Sequence, residues 1–149
     1  MQYEKIEQDY FIHIEKNEKV MYSLTKFCKA NGIQNGKISG IGAVASTEIG
    51  AYDIFRKKYI KKEFPNVVEF ISFEGNITLK ENLPFVHAHV VLSDHDMNTY
   101  GGHLFETTIA AVGEFFLRRF ESNAYRKLNE DIGLPCICLE QKFEIKWKK

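Results

Sequence analysis

Apolar and polar positions alternate along this chain in separated stretches, and each stretch sets a structural expectation. Residues Tyr10 to Ile14 alternate with a period of two, as a half-buried strand does. The period then changes. Val20, Met21, Leu24, Phe27 and Cys28 recur at helical spacing and form one apolar stripe, with Asn17 placed to cap its start and Gly32 to stop its end. From Lys37 onward, Ile38, Ile41, Val44 and Ile49 are interleaved with glycines and followed by Tyr52, Ile54 and Phe55. Small and β-branched residues in that mixture predict strands with close backbone approaches. Val67 to Phe73 is almost entirely strand-forming, Gly75 to Leu79 continues it, and Glu81-Asn82 makes a turn before Pro84. Phe85 to Leu92 predicts another strand, closed by the polar run Ser93-Asp94-His95-Asp96. Leu104 to Phe120 supports two readings: Thr107-Thr108-Ile109 and Phe115-Phe116 favour strand, while Ala110-Ala111 and the length permit helix. Tyr125 to Ile132 is expected as a short helix or turn ended by Gly133, and Cys136 to Trp147 as a final strand. No linker, repeat or low-complexity tract interrupts the chain. The expectation is a single α+β domain over residues 1–149, with a mostly antiparallel mixed sheet packed against a few helices.

Composition narrows the class of function. The chain is 44% hydrophobic and 27% charged, as soluble globular proteins are, and its 20 basic residues balance 20 acidic ones. A net charge of zero gives no overall electrostatic footprint for nucleic acid. A local basic run remains, Arg56-Lys57-Lys58 with Lys61-Lys62, which reads either as a DNA contact or, preferably, as a solvated loop or edge strand blunted by lysines. No signal peptide is evident after Met1, and no apolar stretch is long enough to span a bilayer, so no membrane partner is expected. Three cysteines, Cys28 alone and Cys136-x-Cys138, make no disulfide framework and suit a reducing cytoplasm. The close pair faces one side of a strand, where small buried apolar residues are a better account than metal ligands.

The chemistry-bearing residues are histidines. His87-x-His89 lies in a predicted strand, so both side chains project from one face. An isolated pair of this kind is as readily a hydrogen-bonded packing feature as a ligand pair. His103 follows Gly101-Gly102, where the backbone can turn tightly, and a third imidazole turns the balance toward a ligand cluster with an open position. The expected cofactor is zinc or a similar divalent transition metal, with Glu106 a candidate fourth ligand. His13 and His95 read as solvated. Ser93-Asp94-His95 has the residue types of a hydrolase triad, but sequence-adjacent residues cannot adopt its geometry. Gly40-x-Gly42 lacks the helix that a dinucleotide fingerprint must open, and reads instead as a strand bulge.

Longer motifs resemble a known family. Gly36 to Val44 with Ile49-Gly50 and Tyr52-Asp53, then Val68 to Ile77, then Pro84 to Asp94 followed by Gly101-Gly102-His103-Leu104, and finally Gly133-Leu134, resemble the ordered motifs of the plants and prokaryotes conserved domain. The likeness runs from about Tyr10 to Leu139. It implies an α+β fold assembled as a homotrimer, with His87, His89 and His103 clustered near a subunit interface and able to hold zinc. Plant members are fused to AT-hooks, basic Arg-Gly-Arg segments that enter the minor groove. This chain contains no Arg-Gly-Arg. Two functions follow as expectations: a trimeric metal-binding module with no reaction assigned, or a DNA-associated regulatory or interaction module with no catalysis, its contacts at Arg56, Lys57 and Lys58.

Overall fold

Backbone pairing settles the ambiguous stretch from Leu104 to Phe120 as strand. In the computed structural model, which describes residues 1–140, this stretch up to Arg119 falls within a strand of 21 residues, Thr99–Arg119. In chain order the elements are β1 (Gln2–Ile6), β2 (Asp9–Ile14), α1 (Val20–Ala30), β3 (Gly36–Asp53), β4 (Lys58–Phe64), β5 (Val68–Lys80), β6 (Leu83–Ser93), β7 (Thr99–Arg119), β8 (Tyr125–Asn129) and β9 (Leu134–Cys138). Thr107-Thr108-Ile109 and Phe115-Phe116 explain the outcome for β7, because β-branched and aromatic side chains fit a pleated surface and lose rotamers in a helix.

The sheet is mixed and curls upon itself. Its path runs β1-β2-β7-β3-β5-β8-β9, with β4 on β3, and β6 joins β5 to β7. Thus β3, β5, β6 and β7 pair in a closed circuit, which removes free edges along most of the molecule. Every pairing is antiparallel except β5 with β8. Inside the circuit, Ile38, Phe73, Leu92, Leu104, Phe115 and Leu117 are fully buried. Each such side chain contributes about 1.5–3 kcal/mol by leaving water. The bulge expected at Gly40-x-Gly42 is present in the β3–β5 register. Gly40 is required there, since a Cβ would lie 2.3 Å from the Phe115 ring.

One helix, not several, covers this sheet among the described residues, which corrects the expectation of a few helices. The helical stripe behaves as its spacing predicts, with Val20, Leu24, Phe27 and Cys28 buried. Gly32, at φ 62°, follows the helix, and the Ile33 amide donates to the Cys28 carbonyl at 2.9 Å to close its last turn. The start differs from expectation. Lys19 is the N-cap residue and makes no side-chain cap, while Asn17 sits at φ 71° with its amide donating to the Ile109 carbonyl. Tyr125 to Asn129 is a strand instead of a helix or turn, because its backbone pairs with β9 and with the end of β5. Glu81 and Asn82, at φ 52° and 62°, make the tight hairpin turn expected there. The final strand is seen as β9, and its predicted continuation from Gln141 to Trp147 lies outside the described residues. No described helix is long and apolar enough to cross a membrane.

Candidate metal centre

Strand pairing brings the three histidines together. Along β6, Val86, Ala88, Val90 and Leu92 are buried, so the alternating His87 and His89 face outward from the curled sheet. His89 on β6 stands directly opposite His103 on β7, and His103 is in turn opposite Gly50 on β3. The ring centroids are 5.2 Å apart for His87–His89, 5.0 Å for His87–His103 and 5.4 Å for His89–His103. One ring nitrogen from each lies within 4.8 Å of the others.

The Gly101-Gly102 pair acts differently from the turn predicted for it. Both glycines lie inside continuous β7. Gly102 is needed because a Cβ there would come 2.9 Å from the Gly50 carbonyl oxygen, so its absence lets β3 approach β7 closely beside His103.

Aromatic and cationic neighbours shape the electrostatics. Tyr59 lies against His103 with centroids 5.0 Å apart and planes tilted by 31°, and Phe105 meets the same ring edge-on at 4.9 Å. Burial holds the His87 pKa down to about 4, with the Arg126 guanidinium and the other two imidazoles adding to the effect. His103 is also lowered to about 4, again first by burial, then by His89, Arg126 and Lys61. Both rings are therefore neutral at pH 7, the protonation state in which imidazole ligates a metal. His103 Nδ1 is buried and has no hydrogen-bond partner among the described residues, which is costly unless something fills the position.

Residues that the sequence reading passed over complete the surroundings. Arg126, on β8, donates from Nε to Thr78 Oγ1 at 2.9 Å, from Nη1 to the Pro135 carbonyl at 2.9 Å and from Nη2 to Asn76 Oδ1 at 2.7 Å. Its Nη2 also lies 3.2 Å from His87 Nδ1. Nothing local marks Arg126 as special, since it reaches the histidines only through the parallel β5–β8 pairing.

Glu106 does not join the cluster. Its carboxylate accepts from the Met21 amide at 2.8 Å, the Tyr22 amide at 3.2 Å and the Thr107 amide at 2.9 Å. It thereby caps the start of α1 from a distant strand, in place of the missing local cap. Arg56, Lys57 and Lys58 are exposed on and beside the β3–β4 turn, and none of them is among the three clustered ligand candidates. Arg56 Nε lies 3.6 Å from Asp53, and Lys57 Nζ donates to the Glu130 carbonyl at 2.6 Å. His13 and His95 are exposed. Cys28 is buried, which raises its thiol pKa to about 12, whereas Cys136 and Cys138 are half-buried instead of fully enclosed.

The sequence pattern of the Plants and Prokaryotes Conserved domain matches residues 1–121. The chain belongs to that family. Solved structures agree with this Plants and Prokaryotes Conserved domain assignment. A plant- and prokaryote-conserved protein of Pyrococcus horikoshii is 28% identical with a TM-score of 0.83, covering 97% of this chain and 96% of its own. A proposed DNA-binding protein of Bacteroides thetaiotaomicron is 28% identical at a TM-score of 0.90, covering 94% and 98%. A metal-containing protein of Archaeoglobus fulgidus is 33% identical at a TM-score of 0.80, covering 91% and 97%. No curated protein matches the chain.

Proposed function

We propose that this member of the Plants and Prokaryotes Conserved domain family is a homotrimeric module that holds a zinc-like divalent metal on His87, His89 and His103. The observation that carries this reading is the convergence of three imidazole nitrogens within 4.8 Å, with His103 Nδ1 buried and unpartnered. Zinc bound to imidazole sits about 2.0–2.1 Å from each nitrogen, which in a tetrahedron places nitrogens about 3.3 Å apart. Three protein ligands leave one position for water or another ligand, where the metal would supply Lewis acidity. The metal content of the Archaeoglobus fulgidus relative supports the same reading.

The trimer rests on a different feature. Outside the curled sheet, Phe11, Ile41, Ile71 and Phe116 form an apolar patch, with Ile41 and Ile71 54% and 55% exposed. A cross-strand row, Phe11–Phe116–Ser39–Glu74–His89–His103, connects that patch to the histidines. Self-association on this face by closed symmetry would set the cluster beside a subunit boundary.

A second reading, a DNA-associated module, is favoured by the description of the Bacteroides thetaiotaomicron relative and by the exposed Arg56, Lys57 and Lys58. The two are separated by metal analysis. Protein purified without chelator should carry a transition metal, and His87→Ala, His89→Ala and His103→Ala should each weaken its binding by about a hundredfold or more while far-UV circular dichroism is unchanged. A wild-type protein that takes up no transition metal overturns the proposal.

A further inference from the structure

Arg126 is a half-buried guanidinium whose hydrogen-bond partners among the described residues are all neutral: Thr78 Oγ1, the Pro135 carbonyl, Asn76 Oδ1 and His87 Nδ1. The ion pairs among the described residues involve Met1, Lys37, Arg56 and Lys61, and none supplies a carboxylate to Arg126. A partly buried cation without a carboxylate partner favours a ligand that provides the missing charge.

Its contact with His87 sharpens the point. Arginine can only donate, so His87 Nδ1 accepts, and the proton of the neutral ring sits on Nε2. A metal on His87 cannot coexist with that arrangement. Bound at Nδ1, it takes the lone pair that Arg126 uses. Bound at Nε2, it moves the proton to Nδ1 and turns it toward the Arg126 N–H. Either way one Nη2 hydrogen loses its acceptor next to His87, while Asn76, Thr78 and Pro135 still anchor the group.

We infer that the centre binds an oxyanion, a carboxylate or a tetrahedral anion of the phosphate class, with one oxygen on the metal and another accepting from Arg126. This rests on the metal-binding reading above and adds the ligand class. Arg126 lies on β8, beyond residues 1–121 that the family pattern matches.

The test is thermodynamic linkage, using cobalt(II) as the metal and its visible absorption as the readout, in perchlorate medium of fixed ionic strength. Adding sulfate or acetate should tighten cobalt(II) binding to the wild type about tenfold or more, the effect of one charge-assisted hydrogen bond. The anion that acts distinguishes a tetrahedral ligand from a planar carboxylate. Arg126→Ala should bind cobalt(II) at least as well as wild type without added anion, and should lose the anion effect. Arg126→Lys, which keeps the charge but not the fork, should lose most of it and decides the matter if the alanine variant fails to fold. The inference is overturned if neither anion tightens binding to the wild type, or if both variants retain the full effect. Should the wild type bind no cobalt(II) in any medium, the metal reading falls and this inference falls with it.

Discussion

Two regions of the molecule offer charge or coordinating groups, and they differ in how those groups are used. At the β3–β4 turn, Arg56, Lys57 and Lys58 are consecutive in sequence, yet the fold disperses them: Arg56 leans on Asp53, and Lys57 on the Glu130 carbonyl. Farther along β4, Lys61 pairs with Glu48 and lies over Phe105, and Lys62 lies over Tyr100. On the β6–β7 face the opposite happens. His87 and His89 on β6 converge with His103 on β7, and the buried His103 Nδ1 has no hydrogen-bond partner among the described residues. A run of like charges along a strand or turn is thus spread over separate local partners, whereas residues on two strands make a site when register aligns them. The first pattern invites weak, screened association; the second invites a specific ligand.

The largest effect that would sharpen this contrast is the pH dependence of the metal-free protein. His87 and His103 have folded pKa values of about 4 against about 6.5 when unfolded. Between those values the unfolded chain binds more protons than the folded one, so stability falls as pH drops from about 6.5 to about 4 and levels off below. Above pH 6.5 these two groups add no slope. Chemical denaturation across pH 4 to 7 should show the loss, and a His87→Gln/His103→Gln double variant should flatten it. Bound metal should extend the loss to lower pH, since ligation keeps both folded rings unprotonated while the unfolded chain still takes up protons. An unchanged slope in the double variant would mean that the cluster is not the buried, neutral site described.

Glu106 gives the next effect in size. Its carboxylate satisfies two amides of the first turn of α1, and the negative charge lies at the positive end of the helix dipole. Glu106→Ala should cost about 1–2 kcal/mol of stability, read as a shifted urea midpoint, and leave metal content unchanged. Loss of metal with stability intact would return Glu106 to the centre as a ligand.

Most of the strands and helix α1 were legible because local periodicity carries that information. The His87-x-His89 face was legible for the same reason, as alternation along one strand fixes direction. His103 could be singled out, but its partner opposite His89 is a matter of register between β6 and β7. Arg126 was not legible at all. Its segment carries mixed local signals, and its role arises from pairing with β5, over 40 residues earlier in the chain. The helix cap was misplaced for a related reason: Asn17 was the nearest polar residue, whereas Glu106 arrives from across the fold at a sequence separation of 85. Interactions of that range leave no periodic trace.

The smallest effect concerns the basic turn. Exposed ion pairs such as Arg56–Asp53 contribute little, so these cations are available to phosphates at low salt despite their partners. They are nonetheless few and opposed by Asp53, and the chain's net charge is zero. Non-specific DNA binding should lie in the range of about 10⁻⁴–10⁻⁶ M or weaker at physiological salt, falling further as salt rises. Replacing Arg56, Lys57 and Lys58 together by alanine should weaken it by no more than about threefold, because losing a few loosely placed phosphate contacts mainly flattens the salt slope. Fluorescence anisotropy with a labelled duplex at two salt concentrations measures both quantities. Nanomolar, sequence-dependent binding that the triple variant abolishes would reverse the comparison, making the turn the specific site.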